Sequence, residues 1–182
     1  MMFKLTTLAV LASLAAAPVA MAEDMKNPPA GAMKASAVDT KFVHDAAVGG
    51  MAEVELGKLA AKNAASADVK AFGQHMVDDH SKANDELASI AKSKGIEVPS
   101  ALDAEHQKAV DKLSSMSGAA FDKAFMAQMV TDHQKTVALF EKEASAGKEA
   151  DVKGFASKTL PTLKQHLKMA QDTAKTAKMA KS

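Results

Sequence analysis

Cysteine, tryptophan, tyrosine and arginine are all absent from this chain of 182 residues. Without cysteine the protein has no disulfide, no thiol nucleophile, no cysteine-ligated metal and no lipid attached to cysteine. Because every basic side chain is lysine, the forked guanidinium contacts typical of phosphate and nucleic-acid binding are missing as well. The lack of tryptophan and tyrosine also argues against an aromatic-lined ligand pocket.

The first 22 residues have the pattern of an export signal. Lys4 supplies the positive charge, an apolar run follows over 5–17, and residues 20–22 form a small-x-small cleavage signal. The run is too short for a stable transmembrane anchor, and no other stretch is apolar enough to span a bilayer. We therefore expect cleavage after Ala22 and a periplasmic or secreted protein with no transmembrane segment. Loss of Lys4 leaves 22 basic against 22 acidic side chains, which argues against a nucleic-acid partner.

Beyond the signal, the sequence predicts a flexible leader over 23–38, which contains Pro28, Pro29 and Gly31, and one domain over 39–180. Helical periodicity dominates that domain and no segment alternates with period two, so we predict an all-α fold. The expected long helices are 39–65, 67–94, 119–146 and 150–179, with a short helix at 101–116, after Ser100 as N-cap. The short links within the first and last pairs of long helices predict antiparallel hairpins, and the short helix lets the second and third long helices run parallel.

Two copies of one eleven-residue pattern lie 53 residues apart. The pattern K-A-F-x-x-x-M-V-x-D-H ends at Asp79 and His80 in the first copy and at Asp132 and His133 in the second. On a helix, each copy places an Asp-His pair on or beside the apolar face. Because burying such a pair is costly unless something binds it, the repeat indicates a site built between helices.

Each predicted long helix carries one strongly polar residue near the middle of its apolar stripe. These residues are Glu53, His80, His133 and His166. In an antiparallel hairpin, equal distances from the turn mean equal height, and Glu53 and His80 lie 13 and 14 residues from Ser66. We therefore expect the four side chains to share one layer inside the bundle, with Asp79 and Asp132 beside it.

Imidazole and carboxylate ligands suit Fe, Mn, Zn, Ni and Cu, so this layer predicts a site for one transition-metal ion. The candidate ligands are Glu53, Asp79, His80, Asp132, His133 and His166. One alternative is a buried network in which the carboxylates accept hydrogen bonds from the imidazoles. Another is a Cu(I) centre, because Met76 and Met129 lie four residues before His80 and His133, although methionine on an apolar stripe is usually core filling. Outside the layer, we expect surface positions for His44, His75, His106 and 141–143.

Several motifs are fairly specific in combination. They are Glu53-x-Glu55-Leu56-Gly57, Met76-Val77-x-Asp79-His80, Asp132-His133, Phe140-Glu141-x-Glu143-Ala144 and Leu160-Pro161-x-Leu163-x-x-His166. On these motifs, residues 42–170 resemble a family of exported bacterial proteins of unknown function, often labelled predicted outer membrane proteins, which is similar to ferritin-like four-helix bundles. The resemblance implies that fold, with its long crossover between the second and third long helices, and implies no established activity.

The chain differs from the di-iron members of the ferritin-like class. Those proteins carry Glu-x-x-His on two helices, whereas here Val77 precedes His80 and Leu163 precedes His166 at the carboxylate position. We therefore expect a mononuclear or degenerate site rather than a di-iron oxidase or an iron store.

Two functions from different classes fit this pattern. The first is a periplasmic bundle that binds a single transition metal. The second is a non-catalytic envelope stress or scaffold protein whose buried polar layer only fixes helix packing. No nucleophile–base motif is present, so we favour a binding or structural protein over an enzyme, with an oxidoreductase acting on peroxide or metal ions as a weaker third function. Envelope association and a homo-oligomer stay open.

Overall fold

A computed structural model describes residues 35–179 of the chain and contains five helices and no strand in that range. The helices are α1 (Ala37–Asn63), α2 (Ala67–Ser93), α3 (Ala104–Ser114), α4 (Gly118–Ala146) and α5 (Ala150–Met179). The predicted all-α fold is confirmed. The expected export signal at 1–22 and most of the expected leader lie outside the described residues.

The start of α3 differs from the prediction because another residue caps it. Asp103, not Ser100, is the N-cap, and its carboxylate accepts a hydrogen bond of 2.8 Å from the backbone N–H of His106. None of the helices within 35–179 combines the length and the apolar content needed to span a bilayer.

The four long helices pack side by side, and sequential partners run in opposite directions. Gly57 of α1 lies against Gly73 of α2, and the rings of Phe140 in α4 and Phe155 in α5 are 5.9 Å apart. Because Gly50 of the same α1 lies against Asn84, further along α2, that pair is antiparallel. α1 also packs on α4 and α2 on α5, while α3 packs mainly on α1.

Within the described residues the core consists of two apolar clusters, one towards each end of the bundle. The first contains Phe42, Val43, Leu87, Phe140, Phe155 and Leu163 among its buried side chains. The second contains Leu56, Phe72, Met76, Phe121, Phe125 and Met129. In each long helix, the chain between the two clusters contains one of the four mid-stripe polar residues, so a polar layer separates two apolar regions.

Two buried aspartates tie each hairpin to the turn of the other. Asp122 of α4 accepts hydrogen bonds of 3.0 and 2.9 Å from the backbone N–H groups of 65 and 66, at the α1–α2 turn. Asp39 of α1 accepts bonds of 2.8 and 3.2 Å from those of 148 and 149, at the α4–α5 turn. These carboxylates satisfy N–H groups that the starts of α2 and α5 would otherwise leave unpaired.

Glu143 is buried, and the predicted surface position for this residue is wrong. Its side chain is 1% exposed and lies against Asp39 and the backbone of Gly147, which has no room for a Cβ. Burial and the neighbouring Asp39 raise the pKa of Glu143 to about 7. Burial alone would raise the pKa of Asp39 too, but the Ser36 hydroxyl and the backbone N–H donors outweigh it and lower that pKa to about 2. The pair therefore shares one proton below neutral pH.

Two glycines on α1 should respond in opposite ways to alanine. A Cβ at Gly49 meets nothing within 4 Å, so Gly49→Ala should stabilise the protein by roughly 0.5–1 kcal/mol through helix propensity. A Cβ at Gly57 would lie 2.5 Å from the carbonyl oxygen of Gly73, so Gly57→Ala should destabilise it by roughly 1–3 kcal/mol. Urea unfolding followed by circular dichroism measures both, and equal effects of the two substitutions would contradict this packing.

The Asp39–Glu143 pair should make stability depend on pH. Because the pKa of Glu143 is raised from 4.5 to about 7, its contribution to stability is full below pH 4.5 and is lost as pH rises through about 7. Glu143→Gln should therefore gain stability over the wild type with rising pH, on the order of 1 kcal/mol per pH unit in this window. Urea midpoints at pH 5 and at pH 7.5 test this. The control is Glu141→Gln, whose side chain is 51% exposed and should show no such trend.

Candidate metal centre

Three imidazoles meet in the polar layer between the apolar clusters. His80 on α2, His133 on α4 and His166 on α5 are 7%, 1% and 3% exposed. Their ring centroids are 5.5–5.7 Å apart, and one ring nitrogen from each histidine lies within 4.8 Å of those of the other two. Three helices of the bundle thus bring one potential ligand atom each to a common point.

Each of the three rings has one buried nitrogen without a partner. His80 Nε2, His133 Nε2 and His166 Nδ1 are buried and find no hydrogen-bond partner among the described residues. A buried polar atom without a partner costs roughly 1–3 kcal/mol, and native proteins contain few of them. Three such atoms in one cluster indicate a group that accepts their lone pairs.

The opposite nitrogens of two rings are held in place. His133 Nδ1 lies 2.9 Å from the carbonyl oxygen of Met129, and His166 Nε2 lies 2.9 Å from Asp79 Oδ2. A carbonyl and a carboxylate only accept, so each of these nitrogens carries the proton. Both rings therefore turn a lone pair towards the cluster, which is the arrangement found around metal-binding histidines.

The electrostatics keep the cluster neutral. Burial, followed by the neighbouring imidazoles, lowers the pKa of His80 to about 3 and that of His133 to about 4. Burial also lowers the pKa of His166, although Asp79 opposes the shift. At neutral pH all three rings are uncharged, which is the protonation state in which imidazole coordinates a metal.

Glu53 borders the cluster without joining it. Its side chain is buried, Oε1 lies 3.6 Å from His133 Nδ1, and Oε2 has no hydrogen-bond partner among the described residues. Burial, followed by the negative charge of Asp132, raises the pKa of Glu53 well above its usual value. Glu53 and His80 also line a common cavity of about 30 Å³, room for roughly one water molecule.

The two aspartates of the sequence repeat occupy different environments. Asp79 is hydrogen-bonded to His166, as described above. Asp132 forms no hydrogen bond or ion pair with the three imidazoles in the part of the chain that the structure describes; it is half-buried, and both of its carboxylate oxygens accept from Gln128 Nε2 at 2.9 Å. Glu53 and Asp132 instead line a separate pocket between α1, α3 and α4.

His44 and His75 are exposed, as expected, but His106 is only half-exposed and lines that pocket together with Glu105. Sequence reasoning missed both pocket residues. The Nδ1 atom of His106 lies 2.7 Å from the carboxylate of the cap residue Asp103. In the sequence, the aspartate three residues before His106 is the signal that could have indicated this fixed ring.

Comparisons with known proteins agree on the fold. No curated protein matches the sequence. A crystal structure of a DUF305 fragment from Deinococcus radiodurans is similar with a TM-score of 0.68 at 14% identity, over 77% of this chain and 97% of that one. A structure of CopM in the Cu(I)-bound form is similar with a TM-score of 0.62 at 14% identity, over 74% of this chain and 93% of that one. At such low identity these likenesses show the fold alone.

The family is shown by a match that covers most of the chain. Residues 24–173 match the family model for a domain of unknown function, DUF4142. This range contains all six residues that the sequence suggested as ligands. The protein therefore belongs to the DUF4142 family.

Proposed function

We propose that this protein binds a single transition-metal ion through His80, His133 and His166. The observation that carries the proposal is the convergence of three buried imidazole nitrogens that lack partners. Two of the three rings are fixed from behind by Met129 and Asp79, so little ordering of side chains is needed when an ion binds.

The hydrogen-bonded network that the sequence left open explains less. Only Asp79 makes a carboxylate–imidazole hydrogen bond in this layer, since the 3.6 Å separation of Glu53 Oε1 and His133 Nδ1 is too long for one. Without a metal, such a network would leave one nitrogen on each ring without a hydrogen bond. This costs folding free energy that apolar side chains at the same positions would not cost.

The donor set narrows the metal to ions that favour imidazole. Three neutral nitrogens suit Zn, Cu, Ni and Fe and leave a further ligand position, as in sites with an exchangeable ligand. The similarity to CopM, which is described in a Cu(I)-bound form, adds support for Cu(I). Met76 and Met129 are fully buried and lie four residues before His80 and His133, so thioethers are present on the same two helices. Asp79, hydrogen-bonded to His166, and Glu53, 3.6 Å from His133 Nδ1, are the acidic side chains that border the three rings.

The wider setting belongs to the same proposal. We infer a ferritin-like four-helix bundle in which α3 serves as the crossover between α2 and α4. We also infer a periplasmic or secreted location. The inference of export rests on the signal pattern of 1–22 alone.

The first test is metal binding by the metal-free full chain. We expect one ion per chain, with His80→Ala/His133→Ala weakening binding at least about 100-fold, or about 2.7 kcal/mol. Isothermal titration calorimetry and elemental analysis with Cu(I), Zn²⁺, Ni²⁺, Co²⁺, Fe²⁺ and Mn²⁺ measure this. The matched control is His44→Ala, whose ring is 56% exposed and outside the cluster. Failure of the wild type to bind any of these ions better than about 1 mM would rule the function out.

The second test separates metal binding from a purely structural role of the layer. In metal-free protein, His80→Leu removes a buried nitrogen that has no partner and should raise the free energy of unfolding by roughly 1–3 kcal/mol. If the layer serves only to fix helix packing, the same substitution should instead destabilise the fold. Urea unfolding in the presence of a chelator distinguishes the two results. If the layer binds metal, His80→Leu should also bind metal poorly.

A further inference from the structure

A pocket of about 290 Å³ lies between α1, α3 and α4, beside the histidine cluster. Four carboxylates line it, and they are Asp45, Glu53, Glu105 and Asp132. The lysine in its lining, Lys135, pairs with Glu105 at 3.4 Å, and both of these side chains are exposed at the outer rim. Among the described residues, Glu53 and Asp132 form no ion pair with a lysine, although Lys135 lies near Asp132.

Glu53 lines the inner part of this pocket. Its own surroundings indicate a ligand, whatever the other acidic residues do. Its side chain is 4% exposed, and Oε2 lacks any hydrogen-bond partner among the described residues. Glu53 and Asp132 line the same pocket, and a cation between their carboxyl groups would supply the partner that Glu53 Oε2 lacks.

Glu53 also connects the pocket with the histidines. The smaller cavity that contains His80 shares Gly49, Glu53 and Thr136 with the acidic pocket as common wall residues. Gly49 leaves this shared wall open, because a Cβ there would meet nothing within 4 Å. A cation held by Glu53 would thus lie on the way from the open pocket to His80.

We propose that Glu53 and Asp132 form a loading site for divalent transition-metal cations, from which the ion passes to the histidine cluster. The inference rests on the proposed function. Carboxylate oxygens attract a hydrated divalent cation by charge, whereas the neutral imidazoles hold it more firmly because they are better ligands for these metals. The loading site speeds uptake and release alike, so it changes the rates of binding and leaves the affinity to the histidines.

Stopped-flow uptake of Co²⁺ by metal-free full-length protein tests the proposal. Co²⁺ bound by nitrogen ligands absorbs visible light, and this chain contains no tryptophan or tyrosine to interfere in the near ultraviolet. Asp132→Asn should slow uptake at least about tenfold and slow release into a chelator by a similar factor, which keeps Kd within about threefold of the wild type.

Asp78→Asn is the matched control. Asp78 accepts from Gln74 at 2.9 Å over the same four-residue spacing as Asp132 and Gln128, and it lies two residues before His80. It is exposed and does not line the pocket, so its removal should change the rates by less than about twofold. Equal slowing in both variants would mean that any nearby negative charge attracts the ion, and this result would overturn the loading site. Unchanged rates in Asp132→Asn would overturn it as well.

A variant without any charge change tests the passage itself. Gly49→Leu fills the wall that the two spaces share and should slow both uptake and release of Co²⁺ while the final absorption spectrum stays the same. Unchanged rates in this variant would overturn the route. Normal Co²⁺ binding by the wild type with fast kinetics in Asp132→Asn refutes the loading site alone. Failure of the wild type to bind Co²⁺ or any of the other five ions tested by calorimetry refutes the proposed function with it.

Discussion

Burial of three imidazoles at one height is the constraint on which this bundle depends. Hydrogen bonds fix His133 and His166 on one side each, and all three rings have a buried nitrogen without a partner in a region closed above and below by apolar side chains. Neutral rings make the arrangement tolerable, because three charged rings at ring-centroid distances near 5.5 Å would repel strongly in a medium of low polarity. The apolar clusters supply the stability that the polar layer does not, and the layer can keep its lone pairs free for a ligand.

Convergence at one height requires the two hairpins to hold a fixed register, and the buried aspartates supply it. Asp39 and Asp122 each reach from the first helix of one hairpin to the turn of the other. The two contacts lie at opposite ends of the bundle, so a slide of one hairpin along the other would break both. A slip by a single residue would also rotate each histidine by about 100° around its helix and remove it from the layer.

The helices and the polar layer could be predicted because both depend on local periodicity and on equal distances from turns. What escaped prediction depends on contacts between distant segments. Glu143 belongs to a charged run that is typical of a solvated face, and only the approach of Asp39 explains its burial. On α5, Thr162 and Leu163 lie four and three residues before His166, so helical periodicity allows either on the buried face, and the structure buries Leu163 and exposes Thr162. Polarity favours leucine over threonine at a buried position. Which face of α5 is buried, however, depends on how this helix packs against α2 and α4.

Glu53 is the mid-stripe polar residue of α1, where each of the other three long helices carries a histidine. Near Glu53, α1 carries Gly49 and Ala52, and these small residues line the acidic pocket that α3 borders. Three helices therefore contribute imidazoles to the layer, while α1 contributes a carboxyl group and lines the acidic pocket. A fourth buried histidine would make the layer more symmetric and would remove the carboxyl group that borders both cavities. The asymmetry of α1 is therefore the feature on which the proposed loading site depends.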